Sequence, residues 1–276
     1  MADGYVDTNG VRLWYEELGQ PDGAPVVLVM GVGASVVWWP PELVAGLVDA
    51  GYRVVWFDNR DIGRSSPVDY ESAPYGLGDM ATDVVGLLDS IGIGRADFVG
   101  VSLGGMISQA LALRNPDRVR SLVLISSTPG PDDRLSSPVE SVFVGLDRPV
   151  ETQEDWAELM VDFSRALTGS RYPFDESLCR ETVAADIARG TNAESSHERV
   201  VPSSPSRVDD VGGIGVPTLV VHGTEDPIFP FDHALVMAEA IPDATLVTWE
   251  GVGHELPAPL VPELARLVVR HIGAGR

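Results

Sequence analysis

A serine stands between two glycines in Gly100-Val101-Ser102-Leu103-Gly104, where a short apolar run gives way to a helically patterned stretch. A serine hydroxyl is a poor nucleophile until a neighbouring base takes its proton. On a tight strand-to-helix turn its oxygen projects from the sheet edge, and glycines two residues away let adjacent backbone pass. The start of the following helix also offers free N–H groups to an anion. A plain glycine turn with an ordinary serine has the same spacing. The position of Ser102 after two earlier β-α units favours the nucleophile.

A serine of this kind needs a base, and the chain has five histidines. His254 lies in Gly251-Val252-Gly253-His254, a loop after the last expected strand and at the sheet edge where Ser102 is expected. His197 is its rival. His271 belongs to a terminal helix and is expected to face solvent. His233, near a helix start, is expected at the surface, and His222, ending a strand, in a buried structural hydrogen bond. The base in turn needs a carboxylate to hold its tautomer. Asp226, in His222-Gly223-Thr224-Glu225-Asp226-Pro227, again follows a strand; Glu225 and Asp132 are the alternatives, and helix capping is the competing role for Asp226. The chain order is then Ser102, Asp226, His254, the order of a strand-turn-helix serine hydrolase.

Acyl chemistry also requires donors for a developing oxyanion. One is the Leu103 N–H, next to the nucleophile. The other comes from Met30-Gly31-Val32-Gly33, with Val32 chosen and Gly33 open. Trp38 and Trp39 follow this loop and are candidates for stacking on a flat ligand, with core packing as the competing role. Met106, on the helix after Ser102, is a further pocket candidate against the same alternative. Trp156 and Phe163, seven residues apart on one face of a later helix, either face the pocket or anchor that helix to the sheet, with the anchor favoured.

The elements that would position these groups can be read from apolar patterning. Strands are expected at 11–18, 26–30, 53–57, 96–101, 119–125, 216–222 and 244–249. Helices are expected at 42–50, 77–91, 103–114, 230–240 and 260–272. Strands apolar on both faces, alternating with helices, argue for an α/β fold with a mostly parallel central sheet covered on both sides. Residues 128–215 break the alternation, with helices expected at 153–167 and 175–189 but no apolar strand. They read as a mainly helical cap insertion over the carboxyl edge, where open α/β sheets bind ligands. Residues 1–127 and 216–276 form the core.

Bulk composition narrows the chemistry. The net charge is −22, which disfavours nucleic acid and anionic membranes as partners. The chain has no lysine, which excludes a Schiff-base lysine and a phosphate-loop lysine. No histidine pair has metal-ligand spacing and no dinucleotide fingerprint follows the first strand, so no metal and no cofactor is expected. The single cysteine, Cys179, cannot form an intramolecular disulfide. No signal-like or membrane-length apolar run is present. A cytoplasmic enzyme acting on a small-molecule ester is expected, and a homo-oligomer stays open.

Beyond the motif around Ser102, the chain resembles the α/β-hydrolases in Asp58-Asn59-Arg60-Asp61-Ile62-Gly63-Arg64-Ser65 and in the His222–Pro227 segment. Within that family it is similar to the aclacinomycin methylesterases. The similarity lies in Val29-Met30-Gly31 followed by Trp39-Pro40, in the Asp58–Ser65 segment, and in Pro74-Tyr75-Gly76. The resemblance implies an α/β-hydrolase fold, a Ser102, Asp226 and His254 triad, and oxyanion donors at Val32 and Leu103. It also implies hydrolysis of a methyl ester on an aromatic polyketide. Most of the family has histidine before the oxyanion glycine; here it is Met30, as in the methylesterases. Lactonases, C–C bond hydrolases and cofactor-free perhydrolases or haloperoxidases share this triad, and a ligand-binding receptor with a slow triad is the non-enzymatic alternative.

Overall fold

Strands that read as unbroken apolar runs must be buried on both faces. In the computed structural model, which describes residues 2–191 and 193–274, they are. The order is β1 (Ala2–Thr8), β2 (Val11–Gly19), β3 (Pro25–Val29), α1 (Pro41–Asp49), β4 (Arg53–Phe57), α2 (Leu77–Ser90), β5 (Ala96–Val101), α3 (Leu103–Arg114) and β6 (Val119–Ile125). Then come α4 (Gln153–Leu167), α5 (Glu176–Arg189), α6 (Val200–Ser203), β7 (Thr218–Gly223), α7 (Asp232–Ala240), β8 (Ala244–Trp249) and α8 (Val261–Ala274). The strands form one eight-stranded sheet in the order β1-β2-β4-β3-β5-β6-β7-β8. Pairing is antiparallel for β1–β2 and β2–β4 and parallel from there on.

Alternation along each strand divides the core in two. Val26, Leu28, Val54, Val99, Val123 and Val221 pack on one side with Leu43 and Leu47 of α1 and Leu264 and Val268 of α8. Val27, Val29, Val55, Phe98, Leu122 and Val220 pack on the other with Val84 of α2, Ile107 of α3 and Met237 of α7. Fully burying each such side chain contributes about 1.5–3 kcal/mol. The seven expected strands and the expected helices are all present. β1 is an addition: only Val6 of its described residues is buried in the core, and it pairs with β2 alone.

Between β6 and β7 the described residues are helical or irregular, with no strand. Helix α4 starts at a reciprocal cap, in which Thr152 Oγ1 accepts the Asp155 N–H at 3.1 Å and Asp155 accepts the Thr152 N–H at 2.9 Å. Helix α5 ends at Gly190, whose φ of 110° suits a residue without a Cβ. The two helices pack through Val161, Cys179 and Val183. Among the described residues no helix is long and apolar enough to cross a membrane.

Candidate active site

Ser102 occupies the turn between β5 and α3 with φ 54° and ψ −120°. This region is hostile to side-chain-bearing residues and costs about 1–3 kcal/mol. The surroundings enforce it. The Ser102 N–H donates to Ile125 O at 2.9 Å, and Ser127 Oγ donates to Ser102 O at 2.8 Å. A Cβ on Gly100 would collide with Gly104 O, and one on Gly104 with Val29 O. The glycines are thus required by close backbone approach. Ser102 is only 9 % exposed.

Strands β7 and β8 are parallel neighbours, so the loops leaving their carboxyl ends run side by side. Glu225 N–H donates to Val252 O at 2.9 Å, and Gly251 N–H to Thr224 Oγ1 at 2.9 Å. This pairing brings Asp226 Oδ2 to 2.7 Å from His254 Nδ1. The other Asp226 oxygen accepts the Ile228 and Phe229 N–H groups, each at 2.9 Å. Burial pushes the Asp226 carboxyl up, but His254 and His222 together outweigh it and hold the group well below the usual carboxylate range. Asp226 is therefore ionised, with His254 Nδ1 donating to it and Nε2 left to act on other groups. The rival carboxylates are occupied elsewhere. Glu225 accepts the Ser170 N–H and Oγ–H, each at 2.7 Å, and Asp132 is held by Arg134 and Ser206. Ser102 Oγ and His254 make no hydrogen bond with each other; such contacts often tighten only with substrate bound.

The loop after β3 presses on the serine. A Cβ on Gly31 would lie 3.2 Å from Ser102 Cβ and 3.7 Å from its Oγ. The N–H groups of Val32 and Leu103 find no acceptor in the protein. The Gly33 N–H does: it donates to His197 Nδ1 at 3.3 Å. Further along, Val36 N–H donates to Asp58 at 3.0 Å, and Ser35 N–H and Trp38 Nε1–H donate to Asp186 at 3.2 and 2.8 Å. Arg189 Nε–H reaches Asp58 at 2.8 Å and covers the Trp14 ring. The loop is thus clamped from α5 and from the His197 turn. The other half of the site is held from α4, where Leu167 O accepts the His254 N–H at 2.8 Å and Glu255 accepts the Gly169 N–H at 3.0 Å.

This sheet order, with a strained serine after β5 and an Asp–His pair after β7 and β8, matches one family. A family model described as alpha/beta hydrolase fold matches residues 24–176. The chain belongs to the α/β-hydrolases. A model described as TAP-like protein matches residues 191–260. A rhodomycin D methylesterase from Streptomyces peucetius is 34 % identical over 99 % of both chains, so the methylesterase resemblance extends well beyond the three short stretches. An esterase from Exiguobacterium antarcticum shares the fold with a TM-score of 0.83 at 21 % identity, covering 99 % of this chain and 100 % of that one. An enol-lactonase from Burkholderia xenovorans has a TM-score of 0.76 at 25 % identity over 98 % and 100 % of the chains.

Several expectations for this α/β-hydrolase need correction. Trp39 and Met106 are 1 % and 0 % exposed within the two core clusters, so packing and not ligand contact accounts for them. Trp38 is half-buried, with its Nε1–H on Asp186. His233 is not at the surface: it is buried between Thr128 Oγ1 at 2.8 Å and Ser136 O at 2.9 Å. His271 is half-buried, with burial lowering its pKa. His222 is fully buried on Phe229 O, as expected, and also lies 3.3 Å from Asp226 Oδ2. His197 has both ring nitrogens engaged and is no rival base. Trp156 and Phe163 are half-buried and belong to none of the three apolar clusters, which argues against the anchor role. Asp186 and Arg189 were not anticipated. Their sequence signal is that Asp186 shares a helix face with Cys179 and Val183.

Proposed function

We propose that this α/β-hydrolase cleaves a carboxylic ester, with a methyl ester on an aromatic polyketide as its substrate class, by two-step acyl transfer through Ser102. The observation that carries this reading is the 2.7 Å contact between His254 Nδ1 and Asp226, on the same sheet edge as a strained serine with two acceptor-free N–H groups beside it. The relative named as a rhodomycin D methylesterase supports the substrate class.

In the first step His254 Nε2 takes the Ser102 proton as Oγ attacks the ester carbonyl. The electron pair displaced onto the carbonyl oxygen is received by the Val32 and Leu103 N–H groups. When the C–O bond to the alcohol breaks, His254 returns the proton and methanol leaves. Water then gives a proton to His254 and attacks the acyl-enzyme. Ser102 departs with that proton, and the carboxylic acid is released. Asp226 stays ionised throughout and stabilises the imidazolium. Residues 128–215 act as the cap over a core of residues 1–127 and 216–276. The lone cysteine suits a reducing compartment such as the cytoplasm.

The test is methanol release from an anthracycline methyl ester, run beside Ser102→Ala. Ser102-dependent release is expected; equal rates in both proteins would overturn the reading. The enol-lactonase likeness favours a lactone as the second reading, and ring opening without methanol would select it.

A further inference from the structure

The loop that supplies the Val32 N–H contains Gly33 at φ 66°, which only glycine adopts without strain. A loop of this kind has many conformations unless something outside it selects one. The selecting contact comes from 164 residues away: the Gly33 N–H donates to His197 Nδ1 at 3.3 Å. The opposite ring nitrogen, Nε2, lies 2.6 Å from Arg60 O. A carbonyl can only accept, so Nε2 carries the proton and Nδ1 must be the acceptor. The ring is fully buried, with the Tyr75 ring edge-on at 6.2 Å. Burial holds its pKa down to about 4, so it is neutral and keeps this single tautomer. A proton on Nδ1 would set two donors face to face.

We infer that His197 is a positioning residue for the oxyanion hole: it bridges Arg60 O and the Gly33 N–H, and so removes Gly33 as a donor and orients Val32 N–H beside Ser102. This rests on the proposed acyl-transfer reading. Two features of the loop support it independently. A Cβ on Gly31 would already touch Ser102, and the N–H of the adjacent Val32 has no acceptor in the protein. The next residues are held by Asp186 and Asp58, so His197 secures the one segment between Ser102 and those two anchors.

The imidazole presents two distinct edges, and two amides separate them. Asn places an acceptor oxygen near the Nδ1 position and gives up the donor to Arg60. Gln places a donor near the Nε2 position and gives up the acceptor for Gly33. Turnover of p-nitrophenyl butyrate and inhibition by an aryl trifluoromethyl ketone, whose hemiketal oxygen occupies the oxyanion hole, are measured for His197→Asn and His197→Gln alongside their Tm. The Asn variant is expected to keep kcat within about fivefold. The Gln variant is expected to lose about tenfold to a hundredfold in kcat, a fraction of the loss from deleting a donor outright. Its KM should barely change, and the ketone should weaken by the same factor as kcat. Equal losses in the two variants, or a better Gln than Asn, would overturn the inference and assign His197 to packing or to Arg60. If neither variant folds, a two-bond 15N–15N coupling between Gly33 N and His197 Nδ1 in the wild-type protein is expected, and an Nδ1–H tautomer overturns the proposal. Failure of the acyl-transfer reading itself would look different, because wild type and Ser102→Ala would then turn over the ester alike.

Discussion

Acid should weaken this protein in good part through one fully buried imidazole, that of His197. Burial lowers its pKa, the Arg60 carbonyl and Asp61 raise it, the Arg60 charge lowers it again, and the net result is a fall from 6.5 to about 4. Above pH 6.5 the ring is neutral in both folded and unfolded chains and contributes nothing to the pH dependence. Below 6.5 the unfolded chain takes up a proton that the folded protein refuses, so stability falls with pH until about 4. At about 1.4 kcal/mol for each tenfold in proton concentration, the loss reaches about 2 kcal/mol by pH 5 and about 3 kcal/mol by pH 4. Burial also lowers the pKa values of His233 and His271, which adds to the same fall, so the assay must be differential. Urea unfolding followed by tryptophan fluorescence is measured from pH 7 to pH 4 for wild type and for His197→Asn, which has no charge to gain. Wild type should lose about 3 kcal/mol more than the variant across that interval. A difference curve that stays flat would refute the claim that the folded protein keeps this ring neutral.

Ser102→Ala should lower ester turnover by about four orders of magnitude, as for nucleophiles that act as part of a unit; initial rates within tenfold of wild type would rule the serine out. Ser102→Gly should be equally inactive yet more stable by about 1 kcal/mol in urea unfolding, because glycine relieves the strain at φ 54°. Gly104→Ala sets a Cβ against Val29 O, and a loss of more than about 3 kcal/mol, read as a collapse in soluble yield or Tm, is expected. Trp38→Phe takes a donor from the buried Asp186, and a Tm drop equivalent to about 2 kcal/mol, with slower turnover, should follow.

The parts of the site that were legible in the sequence depend on contacts within one β-α unit. Ser102 and its glycines lie inside five residues, Asp226 follows a strand that announces itself as an apolar run, and His254 follows the half-buried strand that resumes the alternation after it. Their order along the chain then fixes their order across the sheet. β1 was illegible for the opposite reason. It lies at the sheet edge and buries Val6 into the core, so it has neither an apolar run nor a clear alternation. The two misjudged histidines share a cause. His233 and His271 sit on helices whose inward faces are set by what packs on them, Thr128 and Ser136 in the first case. Helix periodicity says that a face exists without naming its neighbour.

The choice between Val32 and Gly33 shows where local reading ends. Both are backbone donors on the same glycine turn, one residue apart, and no property of the turn separates them. A residue 164 positions later does, by occupying one of the two N–H groups. Asp186 and Arg189 act on the same stretch from α5, while the end of α4 holds the His254 loop. The helical segment therefore touches both the oxyanion loop and the base loop, over a serine that is 9 % exposed. Residues 128–215 thus hold, through His197 and Asp186, a loop after β3 whose own glycine-rich sequence permits many shapes.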